Sequence, residues 1–164
     1  MNNTLNKLAQ SVSGHELIAI EGRCSSGKTT TAKKLAVMCS GTHIDTDSYR
    51  ILTGKETSLP PYLSRFNFDL IQKDINYALT LGSVFISGIC LRALFEKIEI
   101  SSTIYYIYIK RLSGPDGYWN DGEEIENYDK SSGIPTPHSC DILYHIEYNP
   151  HQHANEILHI IDTQ

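Results

Sequence analysis

A short stretch near the N-terminus carries the most specific chemical pattern in the sequence. Gly22-Arg23-Cys24-Ser25-Ser26-Gly27-Lys28-Thr29 fits the pattern G-x-x-x-x-G-K-S/T without a mismatch. The glycines allow backbone angles that a Cβ would forbid, so successive N–H groups can form a concave anion site at a helix N-terminus. A lysine charge and an adjacent hydroxyl suit nucleotide phosphates and Mg²⁺. We call Gly22–Thr29 the phosphate loop, and we predict an ATP and Mg²⁺ site with nucleotide contacts from Gly22, Cys24, Ser25, Ser26, Gly27, Lys28, Thr29 and Thr30.

Two aspartates follow further along the chain, at the end of a short β-like segment. Asp45 and Asp47 are two residues apart, a spacing that points both side chains to the same side of an extended segment. A carboxylate beside the phosphate loop can hold a Mg²⁺-bound water or accept the proton of an attacking hydroxyl. We predict Asp47 as the base and substrate contact, and Asp45 together with Thr29 as the metal support. The alternative is that either aspartate only caps a helix that starts near Ser48.

Apolar periodicity outlines the elements that must position these residues. It predicts strands over 17–21, 42–45, 83–87, 103–109 and 141–147, and helices over 3–13, 28–39, 68–79, 91–97 and 153–161. Such alternation predicts an α/β fold, in which a parallel sheet is covered by helices on both faces. The stretch 48–64 predicts a loop. The polar stretch 112–138, rich in glycine and proline and with a short helix near 121–128, predicts a lid, because long connections in small domains are often functional.

The chain as a whole bounds the class of protein. Its 164 residues suit a single domain spanning 1–164. The formal net charge is −5 and no apolar run approaches the roughly 20 residues of a membrane span, so we expect neither a nucleic-acid nor a membrane partner. The four cysteines lack zinc-like spacing and the N-terminus lacks a secretory pattern, which predicts a reduced, cytoplasmic protein. The sequence leaves the oligomeric state open.

The marks of several nucleotide-binding classes are missing from the sequence. There is no N-K-x-D element of guanine-specific switch proteins, no complete LSGGQ-like signature and no apolar strand that ends in Asp-Glu. Four stretches instead resemble the uridine-kinase-like family of small-molecule kinases: Asp47-Ser48-Tyr49, Asn67-Phe68-Asp69, 84–89 and 128–142. The resemblance implies a three-layer P-loop NTPase fold with a five-stranded sheet of order 2-3-1-4-5. It also implies that Asp47, Tyr49, Asn67 and Asp69 lie at the acceptor site.

Two departures from that family concern catalysis. Ser87 stands where the family usually carries glutamate, and between 111 and 140 the only basic side chains are Arg111, Lys130 and His138. Phosphoryl transfer relies on positive groups around the moving charge. We predict Arg111 as a phosphate clamp, because a guanidinium suits phosphate, and Arg92 as a contact in the acceptor pocket. The alternatives are a solvated loop position for Arg111 and an exposed helix face for Arg92.

Together these features predict an ATP-dependent phosphotransferase with Lys28, Asp47 and Arg111 as catalytic residues. The expected partners are ATP and a small hydroxylated metabolite, with a nucleoside-like acceptor favoured. A shikimate-kinase-like acceptor is an alternative hypothesis, since that family also uses Asp-x-Asp, although its triple-glycine turn is missing after Gly88. A further alternative is a nucleotide-binding pseudoenzyme or regulatory module without turnover, which Ser87 and the arginine-poor lid favour.

Overall fold

A computed structural model describes residues 2–51, 63, 66–114, 117–129 and 138–162. Helices and strands alternate along most of the chain, as the apolar periodicity predicts. Their order is α1 (Asn2–Ser11), β1 (Leu17–Gly22), α2 (Lys28–Met38), β2 (Thr42–Asp45), a 3₁₀-helix (Thr46–Tyr49), α3 (Phe68–Leu79), β3 (Val84–Ser87), α4 (Leu91–Phe95), β4 (Ile104–Ser113), α5 (Asn120–Glu126), α6 (His138–Tyr148) and β5 (Glu156–Asp162).

The five strands form one parallel sheet of order β2-β3-β1-β4-β5, which confirms the predicted order 2-3-1-4-5. β1 is the central strand and all its residues are buried. In register, Ser87 of β3 pairs with Ile20 of β1 on one side and with Asp45 of β2 on the other. Parallel strands bring their carboxyl ends to one edge of the sheet. The phosphate loop, Ser87, Asp45 at the end of β2 and Asp47 just beyond it therefore meet at that edge.

Helices cover both faces of the sheet. Alternate residues of β1 point to opposite faces, so this strand contributes side chains to a core on each side. Leu17 and Ala19 belong to a core with α3, α4 and α6, whereas Ile18 and Ile20 belong to a core with α1 and α2. This arrangement is the predicted three-layer α/β architecture. Across the described residues, every helix is too short or too polar to cross a membrane.

The predicted types of the last two elements are wrong. Residues 141–147, predicted as a strand, lie in α6, and 153–161, predicted as a helix, overlap β5. The apolar residues of 141–147 resemble a strand, but Asp141, Ile142, Tyr144 and His145 form the buried face of an amphipathic helix. In β5 the buried Leu158 alternates with exposed neighbours, which is the period of an edge strand.

The predicted lid overlaps ordered elements at both ends. β4 extends beyond the predicted Ile109 to Ser113, so Arg111 lies on a strand and not at the start of a loop. The short helix predicted near 121–128 is present as α5, and α6 begins at His138. Residues 115–116 and 130–137 of the predicted lid lie outside the described residues, as do 52–62 and 64–65, which include most of the predicted loop 48–64.

Candidate functional site

The phosphate loop connects β1 to α2 and depends on two glycines. A Cβ at Gly22 would lie 2.7 Å from the backbone oxygen of Ile109, so the loop can pass this close to β4 only with glycine here. Gly27 caps α2 with a φ of 96°, and Ser25 has a φ of 62°, both in the left-handed region. The loop therefore has the tight, locally strained backbone that a phosphate cradle at a helix N-terminus requires.

Lys28 is the first residue of α2, and its amino group is held within the loop. Lys28 Nζ donates to the backbone oxygen of Arg23 at 2.7 Å, and the side chain is almost fully buried. Burial lowers the pKa of this amine, and the charges of Asp141, Asp47 and Asp45 oppose that effect. A cation is therefore enclosed by the loop, with carboxylates near it.

Thr29 lies in the first turn of α2, beside the ends of β2 and β3. Its hydroxyl donates to Asp45 Oδ2 at 3.3 Å, and Ser87 Oγ donates to Thr29 Oγ1 at 3.5 Å. Ser87 is fully buried, and its Oγ lies 2.9 Å from His43 Nε2. Burial lowers the pKa of His43. The structure thus brings together Thr29 and Asp45, the two predicted metal residues.

The two aspartates have different environments. Asp45 ends β2 and caps the 3₁₀-helix, since its Oδ1 accepts the N–H of Asp47 at 3.2 Å. Capping therefore occurs at Asp45, while its second carboxylate oxygen contacts Thr29. Asp47 lies on the 3₁₀-helix with an exposed side chain, and its charge acts on the pKa values of Lys28 and Cys24. Its carboxylate is thus near the phosphate loop and reachable from solvent.

Arg111 contacts the phosphate loop from β4. Its Nη1 donates to the backbone oxygen of Ser25 at 2.7 Å, and its side chain is exposed. It borders an open cavity of about 540 Å³ that is also lined by Ser26, Gly27 and Thr30 and by residues of β5. A cavity of this size is in the range that small ligands occupy. The structure therefore groups Arg111 with several of the predicted nucleotide contacts.

Three of the predicted acceptor residues lie near the 3₁₀-helix and the start of α3. The Tyr49 hydroxyl donates to Asp74 Oδ2 at 2.8 Å, and the Tyr49 backbone oxygen accepts from the Asn67 N–H at 2.9 Å. Burial and the bond to Asp74 raise the pKa of Tyr49 to about 12. Asn67 caps α3 by accepting the Leu70 N–H, and Asp69 is exposed in the first turn. Tyr49 and Asn67 are adjacent, with side chains that support local structure.

Arg92, the last of the five predicted acceptor residues, lies in α4 against the end of β1. Arg92 Nε is 3.2 Å from Glu21 Oε1, and the guanidinium carbon is 3.9 Å from the centre of the Tyr106 ring. Burial raises the pKa of Glu21, although the Tyr144 hydroxyl donates to it and the charge of Arg92 favours its ionised form. Arg92 Nη2 also donates to the backbone oxygen of His153 at 3.0 Å. The Arg92 side chain is 18% exposed, so it does not lie on an exposed helix face, which was the alternative to its predicted place in the acceptor pocket.

Sequence reasoning missed a second buried network, which starts at Arg23 in the phosphate loop. The Arg23 side chain is 6% exposed; its Nη1 lies 3.5 Å from Asp141 Oδ2 of α6, and its Nε lies 3.9 Å from Asp121 Oδ1 of α5. Its Nη2 contacts Glu124, also in α5. The only sequence signal for Arg23 was its place inside the loop pattern. Arg23 therefore joins the phosphate loop to a helix of the predicted lid and to α6.

Asp141 forms the fully buried end of this network. His145, one turn later in α6, has Nδ1 3.3 Å from Asp141 Oδ1 and Nε2 2.8 Å from the Tyr108 hydroxyl. Burial opposes the charge of Asp141, but the hydrogen bond and charge of His145, together with Arg23 and Lys28, outweigh it and lower its pKa. Asp141 is therefore an ionised group close to the loop.

Trp119 belongs to the predicted lid and packs against residues both inside and outside it. Its ring lies 5.0 Å from the ring of His151, and Lys110 Nζ lies 4.1 Å from the indole centre. A Cβ at Gly122 would lie 2.3 Å from the indole, so α5 and Trp119 are in close contact. Burial, together with the charge of Lys110, lowers the pKa of His151 to about 4. The ring thus contributes to packing between α5 and the segment after α6.

The fold and the loop together define a class of protein. A parallel sheet of order 2-3-1-4-5 with a phosphate loop between its first strand and the next helix is the fold of the P-loop kinases. This finding confirms the fold that the resemblance to the uridine-kinase-like family implies.

Comparison with known proteins agrees with this class. The chain is similar to the structure of a possible uridine kinase from Bacillus stearothermophilus, with a TM-score of 0.58 and 13% identity over 96% of this chain and 98% of that chain. A gluconokinase from Sinorhizobium meliloti 1021 matches with a TM-score of 0.47 and 13% identity over 90% of this chain and 83% of that chain. No protein-family model and no curated protein matches the sequence. At such identity, the first likeness establishes the fold and not the activity.

Proposed function

We propose that this protein is an ATP-dependent phosphotransferase that moves the γ-phosphoryl group to a hydroxyl of a small metabolite, with a nucleoside-like acceptor favoured. The observation that carries the proposal is the contact of Thr29 with Asp45 beside the phosphate loop, with the exposed Asp47 carboxylate two residues further on. Thr29 and Asp45 suit a metal-bound nucleotide, and Asp47 is a candidate catalytic base beside them.

The residues present fit a nucleotide and its magnesium ion. A Cβ at Gly22 would lie 2.6 Å from Ser26 Oγ, so the loop can keep this shape only with glycine at position 22. Lys28 supplies an enclosed positive charge, and Thr29 and Asp45 supply the oxygen ligands that Mg²⁺ prefers. Mg²⁺ needs few protein ligands beside phosphate oxygens. The described residues contain no group of three or more His, Cys, Asp or Glu that could hold a metal ion by itself.

The proposed chemistry divides between these side chains. When bound, the magnesium nucleotide supplies the phosphoryl group and a compensating positive charge. Asp47 accepts the proton of the acceptor hydroxyl while the new oxygen–phosphorus bond forms, and the bond to the leaving diphosphate breaks with its electron pair going to ADP. Lys28 and Arg111 balance the negative charge on the transferred group and the leaving group.

Two substitutions test this division of roles. Lys28→Ala should abolish nucleotide binding in calorimetry, because it removes the enclosed charge. Asp47→Asn should retain nucleotide binding and lower kcat by about 10²–10⁴-fold, the usual contribution of a positioned base. Lys33→Ala, on the exposed face of the same helix, is the matched control and should change neither quantity. A kcat for Asp47→Asn equal to that of the unmodified protein would show that Asp47 is not the base.

A nucleotide-binding pseudoenzyme or regulatory module is the second candidate function. It is favoured by the uncharged Ser87 and by the lid, whose described residues, 112–114 and 117–129, include no Lys or Arg but the acidic Asp121, Glu123, Glu124, Glu126 and Asp129. Calorimetry with ATP, followed by a product screen over nucleosides, vitamins and sugar acids, separates the two functions. Binding without product from any acceptor would favour the pseudoenzyme. Product only from a shikimate-like acid would favour the alternative acceptor.

A further inference from the structure

The cluster behind Thr29 contains a serine and a histidine where the resembled family has a glutamate. Ser87 ends β3 and is fully buried between β1 and β2. His43 lies on β2 two residues before Asp45, so both side chains lie on the same side of that strand. His43 Nε2 is 2.9 Å from Ser87 Oγ, the shortest contact in this cluster. We call His43, Ser87, Thr29 and Asp45 the hydroxyl chain.

The donors in the hydroxyl chain can be assigned by counting hydrogens, because each hydroxyl carries only one. The Thr29 hydroxyl donates to Asp45 Oδ2 at 3.3 Å, and the Ser87 hydroxyl donates to Thr29 Oγ1 at 3.5 Å. The hydrogen between His43 and Ser87 must then come from Nε2 of His43. In this order Thr29 Oγ1 receives one hydrogen and keeps its second lone pair.

We propose that His43 is a positioning residue that holds Ser87, and through it Thr29, in the orientation that offers this lone pair to the magnesium ion of the nucleotide. The inference rests on the proposed function of the phosphate loop. Without a donor at His43, the buried Ser87 Oγ accepts no hydrogen bond from β2, and the Thr29 hydroxyl can turn from Asp45 toward Ser87. A neutral pair on two neighbouring strands thus orients the metal ligand without a carboxylate.

A purely structural role for His43 makes a different prediction. A half-buried ring on an edge strand would lower stability when truncated, and any effect on nucleotide affinity would be the same with and without Mg²⁺. The positioning role affects only the part of the affinity that depends on the metal. The ratio of the two affinities therefore separates the roles without any measurement of turnover.

Calorimetry with a non-hydrolysable ATP analogue, in Mg²⁺ and in EDTA, measures this ratio. His43→Leu removes the donor, and His43→Gln returns an amide N–H near the position of Nε2. We expect His43→Leu to reduce the Mg²⁺-dependent gain in affinity about fivefold to tenfold, as for the loss of one ordinary hydrogen bond. Affinity in EDTA should stay within about twofold of the unmodified protein, and His43→Gln should restore most of the gain.

Two further variants control the experiment. Thr42→Val changes the same strand outside the hydroxyl chain and should keep the full gain. Ser87→Ala should lose the gain as His43→Leu does, and the double variant should lose no more than Ser87→Ala alone, because both residues act through one chain. If His43→Leu does not fold, Ser87→Ala decides the question, since an undiminished gain in that variant overturns the inference.

The outcomes also separate this inference from the proposed function. If the unmodified protein gains no affinity from Mg²⁺, both are overturned. A full gain in His43→Leu, or an equal loss of affinity in Mg²⁺ and in EDTA, overturns the role of His43 alone.

Discussion

Replacing Arg23 by methionine tests how the phosphate loop is held to the helices beside it. The Arg23 side chain is 6% exposed and faces carboxylates of very different exposure, Asp141 at 0% and Glu124 at 43%. Methionine keeps an unbranched apolar stem but removes the charge. Asp141 is then left buried, with His145 still beside it.

The cost follows from that burial. Removing one partner of a buried ion pair costs about 3–5 kcal/mol, because the remaining charge stays buried without compensation. Asp141 keeps His145, so we expect the lower end of the range, about 3 kcal/mol. In a domain of this size 1 kcal/mol corresponds to about 2–4 °C, so Tm should fall by about 6–12 °C.

Thermal and urea unfolding of matched variants checks this value. Glu124→Gln changes the more exposed partner of the same arginine, and this variant should lower the free energy of unfolding by less than about 1 kcal/mol. Adding Asp141→Asn to Arg23→Met should recover part of the loss, since removing both charges removes the imbalance. Equal costs for Arg23→Met and Glu124→Gln, or a double variant that is simply additive, would refute the argument from burial.

Three other predictions concern the loop, the clamp and pH. Gly22→Ala should abolish binding of an ATP analogue in calorimetry, because its Cβ would meet backbone 2.7 Å away, whereas Gly82→Ala, with φ of 146° and no atom within 4 Å, should leave binding unchanged. Arg111→Ala should weaken that binding about tenfold, by loss of a charged contact, and lower Tm by only about 2–4 °C, because the hydrogen bond lost to the Ser25 backbone oxygen is exposed to solvent. The folded protein favours neutral His151, whose pKa is about 4 against an ordinary 6.5, so stability is full above pH 6.5 and falls as the pH drops toward 4. His151→Phe should reduce the urea-measured loss between about pH 7 and pH 5 by about 1 kcal/mol, a value halved for partial exposure of the ring; an unchanged pH dependence would contradict the low pKa.

The nucleotide side of the site could be predicted from the sequence because its chemistry is local. The loop pattern lies within eight residues, from Gly22 to Thr29, and the strand and helix on either side confirm its context. Asp45 is the last residue of β2, and Asp47 lies two positions further along the chain. The strand order could be inferred from the resemblance. The structure confirms that order, although the fifth strand was predicted on the wrong residues.

The buried polar contacts could not be predicted, because they join residues far apart in the chain. Arg23 and Glu124 are separated by 101 positions, and Tyr144 and Glu21 by 123. No short pattern encodes such a pair. The same holds for His43, which contacts Ser87 on the neighbouring strand of the sheet although the two residues are 44 positions apart in the chain.

The helical form of α6 decides how the loop is supported, so the wrong prediction for 141–147 concerned more than the fold. In a strand, Tyr144 and His145 would point to opposite faces. In α6 both are buried on one face with Asp141 one turn earlier. From that face Tyr144 donates to Glu21, which precedes the loop, and Asp141 pairs with Arg23 inside it. One helix therefore holds Glu21 and Arg23, the side chains on either side of Gly22, whereas a strand would point Asp141 and Tyr144 to opposite faces of the sheet.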